Sequence, residues 1–339
     1  MWQVIGHEKA LRFFKKSIEE GKLAHAYLLL GLPNVGKMTL AINLAQALNC
    51  QTKETPCGKC QSCLRIAALK HADVRVVNLI SDEDLKPFPR TMILKEQIER
   101  IKHESSLPPY EGETRVIIID GAENMSLGAA NCFLKTLEEP TDKLIFMLLA
   151  VNESRLPETI TSRCQRVELF PVTNIEIEKE LKSRGVPEEK AELISKLSHG
   201  RIGWAIEATG NDGLMEKRRR YIEKAISLIN GDYEERFGYA AQLVGQFGKE
   251  REEVWDMIEI WLDLWRDMML LKMGINNDIV NKDLEEELAL LSKEFTVDEV
   301  REAIANIIET ERKLKINASP QLALEVLMLN IPLKKGVVI

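Results

Sequence analysis

The sequence lacks any apolar run of the length, roughly 18 residues, that a membrane-spanning helix requires. It also lacks an uncharged leader: charged residues recur through residues 1–20, so we expect neither a signal peptide nor a transit peptide. No short-period repeat and no low-complexity tract interrupts the 339 residues. These absences predict a globular, cytoplasmic protein with no membrane partner, and the length of the chain predicts two or three domains.

A surplus of positive charge is also missing. The chain has 46 Lys and Arg against 53 Asp and Glu, which gives a formal net charge of −7. A protein that binds nucleic acid by itself is usually basic. We therefore expect at most a local contact with DNA, made by a subunit of a larger complex.

Four continuous apolar stretches in the first half predict buried strands, and helical patterns separate them; the stretches are residues 25–30, 74–80, 116–120 and 144–150. Such a pattern is typical of a parallel sheet covered by helices on both faces, with ligands at the carboxyl ends of the strands. From residue 175 the pattern is helical almost to the end. There, apolar residues at three- and four-residue steps predict a buried helix face rather than a partner or cofactor groove: Val254, Ile258, Trp261, Trp265 and Met268.

Residues 31–37 (GLPNVGK) lie between a predicted strand and a predicted helix, which is the setting of a phosphate-binding P-loop. The backbone N–H groups and the helix N-terminus would bind phosphate, and Lys37 would reach the β- and γ-phosphates. Position 38 should carry a hydroxyl for Mg²⁺, but it is Met38. Thr39 comes one residue late, a turn of about 100° on a helix. The nucleotide-binding set that this loop and the strand end predict for ATP and Mg²⁺ is Gly31, Asn34, Gly36, Lys37, Thr39 and Asp120.

Four of the six cysteines are clustered, at Cys50, Cys57, Cys60 and Cys63. In a cytosolic chain this crowding favours a metal over disulfides, and four thiolates suit a structural tetrahedral Zn²⁺. An iron–sulfur cluster is the rival ligand, and four unligated buried thiols are the remaining alternative. Cys132 and Cys164 are far away in sequence, and we expect them to be buried thiols.

Several segments in the first half resemble the delta-prime subunits of the bacterial DNA polymerase III clamp loader, which are AAA+ proteins. They read IGH at 5–7, LAHAYL at 23–28, NCFLKTLEEP at 131–140, LPETI at 156–160 and TSRCQ at 161–165, together with the four-cysteine insertion. The resemblance implies an AAA+ α/β domain with a zinc module (1–172, zinc module 50–63), a small helical lid (173–211) and an all-α collar domain (212–339). It implies gamma/tau and delta subunits as partners, and the sliding clamp and primed DNA as targets of the complex.

The resemblance also implies residue roles. Arg163, flanked by Ser162 and Cys164, would act as an arginine finger on the ATP of a neighbouring subunit; the alternative is a surface arginine in an ordinary ion pair. Asn152 would be either a sensor of the γ-phosphate or a loop cap. Asn131 and Lys135 would face DNA or link the P-loop to the neighbour, unless they only form a polar helix face.

Two further departures from hydrolysing relatives join Met38. Asp120 ends a strand as a Mg²⁺-associated acid would, but Gly121 follows where a water-activating glutamate is expected, and Glu123 lies further along. Gly203 occupies the position of the lid arginine, with Arg201 two residues early. The prediction is a subunit with weak or no ATP hydrolysis of its own. The alternatives are a gamma/tau-type motor ATPase and an unrelated zinc-containing nucleic-acid binder.

Overall fold

A computed structural model describes residues 2–52, 55–79, 92–139, 141–316 and 318–334. The chain divides into two compact units: Met1–Gly185 with Ser198–Ala205, and Val186–Leu197 with Ile206–Ile339. The three-domain division drawn from the resemblance stays a prediction. Among the described residues, no helix has both the length and the apolarity needed to cross a membrane.

The first unit contains a five-stranded sheet of strand order β2-β3-β4-β1-β5 in which every neighbouring pair is parallel. The strands are β1 Ala26–Leu30, β2 Val74–Val77, β3 Arg115–Asp120, β4 Leu144–Ala150 and β5 Gln165–Glu168. The parallel sheet and its first four strands are confirmed, although β2 ends at Val77 and residue 80 lies outside the described residues. Strand β5 was not predicted from the sequence, because it is an edge strand in which Val167 alone is buried.

Helices cover both faces of this sheet, as the continuous apolar strands predicted. Successive strand side chains point to opposite faces. Tyr27 and Leu28 accordingly belong to different apolar layers, the first with Phe14 and the second with Phe133. The helices of this unit are α1 Glu8–Glu19, α2 Lys37–Leu48, α3 Gln61–Ala67, α4 Lys95–Ser105, α5 Leu127–Glu138, α6 Glu158–Thr161 and α7 Asn174–Ser183.

All the regular secondary structure described in the second unit is helical, which confirms the helical pattern predicted from the sequence. Trp261 and Trp265 are 1% exposed, and the other members of their stripe are also buried, so the prediction of a core-packed helix face is confirmed. The helices are α8 Glu188–Leu197, α9 Ile202–Gly210 (whose first four residues belong to the first unit), α10 Asp212–Asn230, α11 Tyr233–Lys249, α12 Arg251–Lys272, α13 Glu285–Ser292, α14 Val297–Lys315 and α15 Pro320–Asn330.

Candidate nucleotide and metal sites

The predicted phosphate loop connects the end of β1 to the start of α2 at the carboxyl edge of the sheet. Asn34 (φ 57°) and Gly36 (φ 114°) both have left-handed backbone conformations, and Gly36 immediately precedes the first helical residue. Gly31 is packed so closely that an added Cβ would lie 2.5 Å from the carbonyl oxygen of Leu169. The glycines are therefore required by the turn itself, and the turn directs the N-terminus of a 12-residue helix toward the cavity.

Lys37 is held by its own loop. Its Nζ donates hydrogen bonds to the carbonyl oxygens of Gly31 (2.5 Å) and Leu32 (2.8 Å), and the residue is only 8% exposed. Burial lowers the pKa of Lys37, while the carboxylates of Glu123 and Asp120 oppose that effect. A phosphate group would have to replace these carbonyl contacts to bind the amine.

A cavity of about 310 Å³ lies beside this loop. Met38 and Thr39 both line it, and Met38 also packs against the apolar layer that contains Phe14. The residues that line the cavity are Pro33, Asn34, Gly36, Lys37, Met38, Thr39, Asp120, Gly121, Glu123, Leu149, Ala150, Val151 and Gly203. Most of the predicted nucleotide-binding set is thus brought together, and Gly31 is attached to it through Lys37.

Two carboxylates face Lys37 in this cavity, one at the end of β3 and one on the turn that follows. Burial raises the pKa of Asp120; Lys37 opposes the shift and Glu123 reinforces it. Gly121 (φ 70°) starts a 3₁₀ turn over Ala122–Asn124 that carries Glu123 toward the end of β4. There Glu123 Oε1 accepts a hydrogen bond from Val151 N–H (3.0 Å), and among the described residues its buried Oε2 has no hydrogen-bond partner.

Glu123 was not among the predicted binding residues, and the turn over Ala122–Asn124 brings it into the cavity. A side chain at position 121 meets a different obstacle. A Cβ added to Gly121 would lie 2.9 Å from Asn124 Nδ2, on a backbone with positive φ. A glutamate there would have to displace the Asn124 amide and adopt a left-handed backbone conformation that residues with a Cβ rarely adopt.

The residue at the position expected for the lid arginine touches the phosphate loop directly. Gly203 N–H donates to the carbonyl oxygen of Asn34 (2.8 Å), and a Cβ at Gly203 would lie 2.9 Å from that same oxygen. Arg201 instead donates to the carbonyl oxygen of Ser198 and lies over the ring of Trp204, 5.9 Å from its centroid. Neither position supplies a guanidinium to the cavity in this arrangement.

Asn152 has a local partner. Its Oδ1 accepts hydrogen bonds from the backbone N–H (2.9 Å) and hydroxyl (2.8 Å) of Ser154, so that it caps a 3₁₀ turn over Glu153–Arg155. The adjacent Val151 lines the cavity. This geometry corresponds to the loop cap, one of the two readings of Asn152, and its role in nucleotide binding stays a prediction.

The four clustered cysteines converge: the sulfurs of Cys50, Cys57, Cys60 and Cys63 all lie within 4.8 Å of one another. They are therefore close enough to hold one metal ion. Backbone N–H groups of Lys59 and Cys60 donate to Cys57 Sγ, at 3.4 and 3.3 Å, and lower its pKa to about 5. Burial raises the pKa of Cys63 to about 12.

The thiol cluster is joined to α2 through buried amides. Gln46 Nε2 donates to the carbonyl oxygen of Cys63 (2.9 Å), and Gln46 Oε1 accepts from Asn43 Nδ2 (3.0 Å). Asn43 Oδ1 in turn accepts from Gln3 N–H (2.6 Å). Helix α2, which begins at the predicted phosphate loop, thus also supports the segment that carries the four cysteines (residues 50–63).

The two remaining cysteines differ from expectation, since Cys132 and Cys164 are half-buried rather than buried. Both sit at the edge of the apolar layer that contains Phe133, where one side of each residue stays accessible. The Cys164 sulfur is shielded from water, and burial raises its pKa to about 12.

Arg163 lies between α6 and β5, together with Ser162 and Cys164. Its Nη1 donates to the carbonyl oxygen of Thr159 (2.9 Å) and its Nη2 to Glu138 Oε1 (2.9 Å). Ser162 and Arg163 are exposed. The guanidinium does not line the cavity of its own chain, so any chemistry at phosphate would involve another molecule.

Asn131 and Lys135 are both exposed on α5, one turn apart. This placement agrees with a polar helix face and does not distinguish it from the two functional roles. The nearby Thr136, in contrast, is buried and faces the core.

A family model described as "DNA polymerase III, delta subunit" matches residues 6–173, and one described as "DNA polymerase III, delta subunit, C terminal" matches residues 228–332. DNA polymerase III subunit delta' of Bacillus subtilis is 28% identical over 322 residues, covering 95% of this chain and 94% of that protein. Subunit tau of the same organism is 25% identical over 350 residues, covering 97% of this chain but 60% of tau. Subunit delta' of Pseudomonas aeruginosa is 31% identical over 210 residues, covering 61% and 62% of the two chains.

Proposed function

Because this chain belongs to the clamp-loader subunit family of DNA polymerase III, we propose that it is the delta-prime-type subunit of that complex. In this role it works in the cytoplasm with gamma/tau and delta subunits to load the sliding clamp onto primed DNA. One observation carries the choice of subunit: the nucleotide cavity has lost groups needed for hydrolysis, whereas Arg163 is exposed outside that cavity. The match along 94% of a delta' relative supports the same choice.

Three residues at the cavity lack the groups that ATP hydrolysis requires. Met38 supplies a thioether where Mg²⁺ coordination needs a hydroxyl. Gly121 has no side chain to polarise water, and its positive φ disfavours any residue with a Cβ at this position. Gly203 brings backbone rather than a guanidinium against the phosphate loop. Nucleotide binding by Gly36 and Lys37 remains part of the proposal, but turnover does not.

Arg163 acts on a neighbour's ATP in this proposal. A guanidinium stabilises the negative charge that develops on the transferring phosphoryl oxygens, and arginine fingers contribute on the order of 10³–10⁵ in rate. The short helix α6 and strand β5 hold the segment from both sides, while the Arg163 side chain stays accessible. Ser162 and Cys164 set its position, the latter by packing on the core.

The metal held by the thiol cluster is zinc in this proposal. Zn–S bonds of about 2.3 Å at tetrahedral angles place sulfurs about 3.8 Å apart, close to the 4.0 Å between Cys57 and Cys63. Four thiolates leave no open coordination position, so the role is structural. We further propose that residues 173–211 form the lid domain and residues 212–339 the collar domain.

A gamma/tau-type motor is the second candidate, and the 25% identity to tau along 97% of this chain favours it. That function requires the chain to hydrolyse ATP by itself. Met38, Gly121 and Gly203 each oppose it, so delta-prime remains the preferred assignment.

The decisive experiment replaces Arg163 with Ala in a loader reconstituted with gamma/tau, delta, clamp and primed DNA. Hydrolysis at the site that Arg163 serves should fall on the order of 10³-fold, because the transition-state charge loses its partner. Single-turnover ATP hydrolysis measures the loss, and size-exclusion chromatography checks that the complex still assembles.

Arg166→Ala is the matched control, since Arg166 is an exposed arginine three residues away that pairs with Glu153 and Glu168. Its loader should hydrolyse ATP at the normal rate. Unchanged hydrolysis in the Arg163→Ala loader would refute the finger. ATP turnover by the isolated chain would instead favour the gamma/tau-type motor.

A further inference from the structure

Arg163 is bound within its own chain by a residue from another element. Glu138, the last residue of α5, accepts a hydrogen bond from Arg163 Nη2 at 2.9 Å. We propose that Glu138 is a positioning residue, which holds the guanidinium of Arg163 against its own subunit until the neighbour's phosphates replace the carboxylate. This inference rests on the proposed function, and the experiments below separate the two.

The second contact of Arg163 has a different character. Its Nη1 donates to the carbonyl oxygen of Thr159, which lies four residues earlier on the same segment. That carbonyl belongs to the turn that carries Arg163 and would move with it. Glu138 lies 25 residues earlier in the chain and is anchored on α5, whose other face is in the core. The carboxylate is therefore the contact that determines where the guanidinium points.

The pair is weak enough to be exchanged. The Arg163 side chain is 37% exposed and that of Glu138 is 51% exposed, so water screens their attraction. An exposed pair of this kind shifts the equilibrium between the paired and the unpaired guanidinium by about two- to five-fold. A phosphate group offers several oxygens to the planar guanidinium in charge-assisted hydrogen bonds, which are stronger than one exposed carboxylate contact. The neighbour's nucleotide would therefore displace Glu138 once the subunits are adjacent.

The chain contains a matched control for this carboxylate. Glu139 directly follows Glu138, is also exposed and has the same charge. Among the described residues, the ion pair of the guanidinium is with Glu138 and not with its neighbour. Replacing either glutamate by Gln changes the net charge equally, and only Glu138→Gln removes the ion pair with Arg163.

The first test uses the isolated chain and the arginine reagent phenylglyoxal, with the rate of Arg163 modification followed by peptide mass spectrometry. Glu138→Gln should raise that rate about two- to five-fold, because the guanidinium is released from its partner. Glu139→Gln should leave it unchanged. Equal rates in wild type and Glu138→Gln would show that Glu138 does not hold the guanidinium, whether or not Arg163 is an arginine finger.

The second test measures ATP hydrolysis by the reconstituted loader without clamp or DNA. Glu138→Gln should raise kcat about two- to five-fold at unchanged KM for ATP, because a larger fraction of fingers is available. A merely structural role predicts an equal or lower rate. If Arg163→Ala leaves hydrolysis unchanged, the proposed function fails. If Arg163→Ala lowers hydrolysis but Glu138→Gln does not raise it, only the positioning role of Glu138 fails.

Discussion

The thiol cluster and the cavity beside residues 31–37 lie in the same unit, but the chain supplies their residues in different ways. The cluster takes its four ligands from a single stretch between Cys50 and Cys63. The cavity takes its lining from segments as distant as Pro33 and Gly203. The cluster therefore depends on the conformation of one segment, whereas the cavity depends on the packing of several segments.

The two sites also differ in how their charges are satisfied. Backbone N–H groups point at Cys57 Sγ and favour its thiolate form. In the cavity, the Glu123 carboxylate adds to burial in raising the pKa of Asp120, and Glu123 Oε2 has no hydrogen-bond partner among the described residues. Hydrogen-bond donors thus converge on the thiol of Cys57, whereas a carboxylate oxygen in the cavity is left without one in the described part of the chain.

Disruption of the thiol cluster should have the largest effect on the stability of the chain. Cys60→Ser removes a ligand, and the free energy of unfolding should fall by about 4 kcal/mol, the contribution that mass action gives for a ligand at a thousand times its Kd. Thermal unfolding with and without a chelator, together with metal analysis, measures the effect. Cys132→Ser is the control and should retain the metal. Equal stability and metal content in both variants would show that the cluster is not a metal site.

A side chain at position 203 should have an intermediate effect on stability. It tests whether the close contact with Asn34 leaves room for any side chain at the position expected for the lid arginine. Gly203→Ala should cost about 1–3 kcal/mol of unfolding free energy, because its Cβ would press on the carbonyl oxygen of Asn34. Chemical denaturation measures the loss. On the same helix, Gly210 has no atom within 4 Å of an added Cβ. Gly210→Ala should therefore be neutral or stabilise by up to about 1 kcal/mol; equal losses in both variants would contradict the contact.

Relief of charge in the cavity should have the smallest effect. Glu123→Gln should stabilise the nucleotide-free chain by up to about 1 kcal/mol at pH 7, because it removes a charge that raises the pKa of Asp120, while Lys37 keeps Asp120 and its two backbone carbonyls as partners. An acid whose pKa is raised by folding destabilises the fold above that pKa, and the penalty disappears on acidification. The gain should accordingly vanish at low pH. Denaturation across pH measures it, with the exposed Glu113→Gln as control; a loss at pH 7 would refute the prediction.

Much of the framework was readable from the sequence. The four apolar stretches become neighbouring parallel strands, and the stripe containing Trp261 and Trp265 becomes the buried face of α12. Burial imposes these patterns on short stretches, so they are visible without the fold. The edge strand β5 was missed because Val167 is its single buried residue. Glu123 was left out of the binding set because its entry into the cavity depends on a turn that starts at Gly121.

The sequence by itself determined the strand and helix periods, the cysteine spacing and the loop from Gly31 to Lys37, because each depends on residues close together in the chain. Tertiary structure alone decided that Gly203 meets Asn34, that Asp120 and Glu123 share a cavity with Lys37, and that Glu138 holds Arg163. The physical reason is distance along the chain: local patterns follow from backbone geometry and burial, whereas partners from separate segments are chosen only when the sheet and its helices pack.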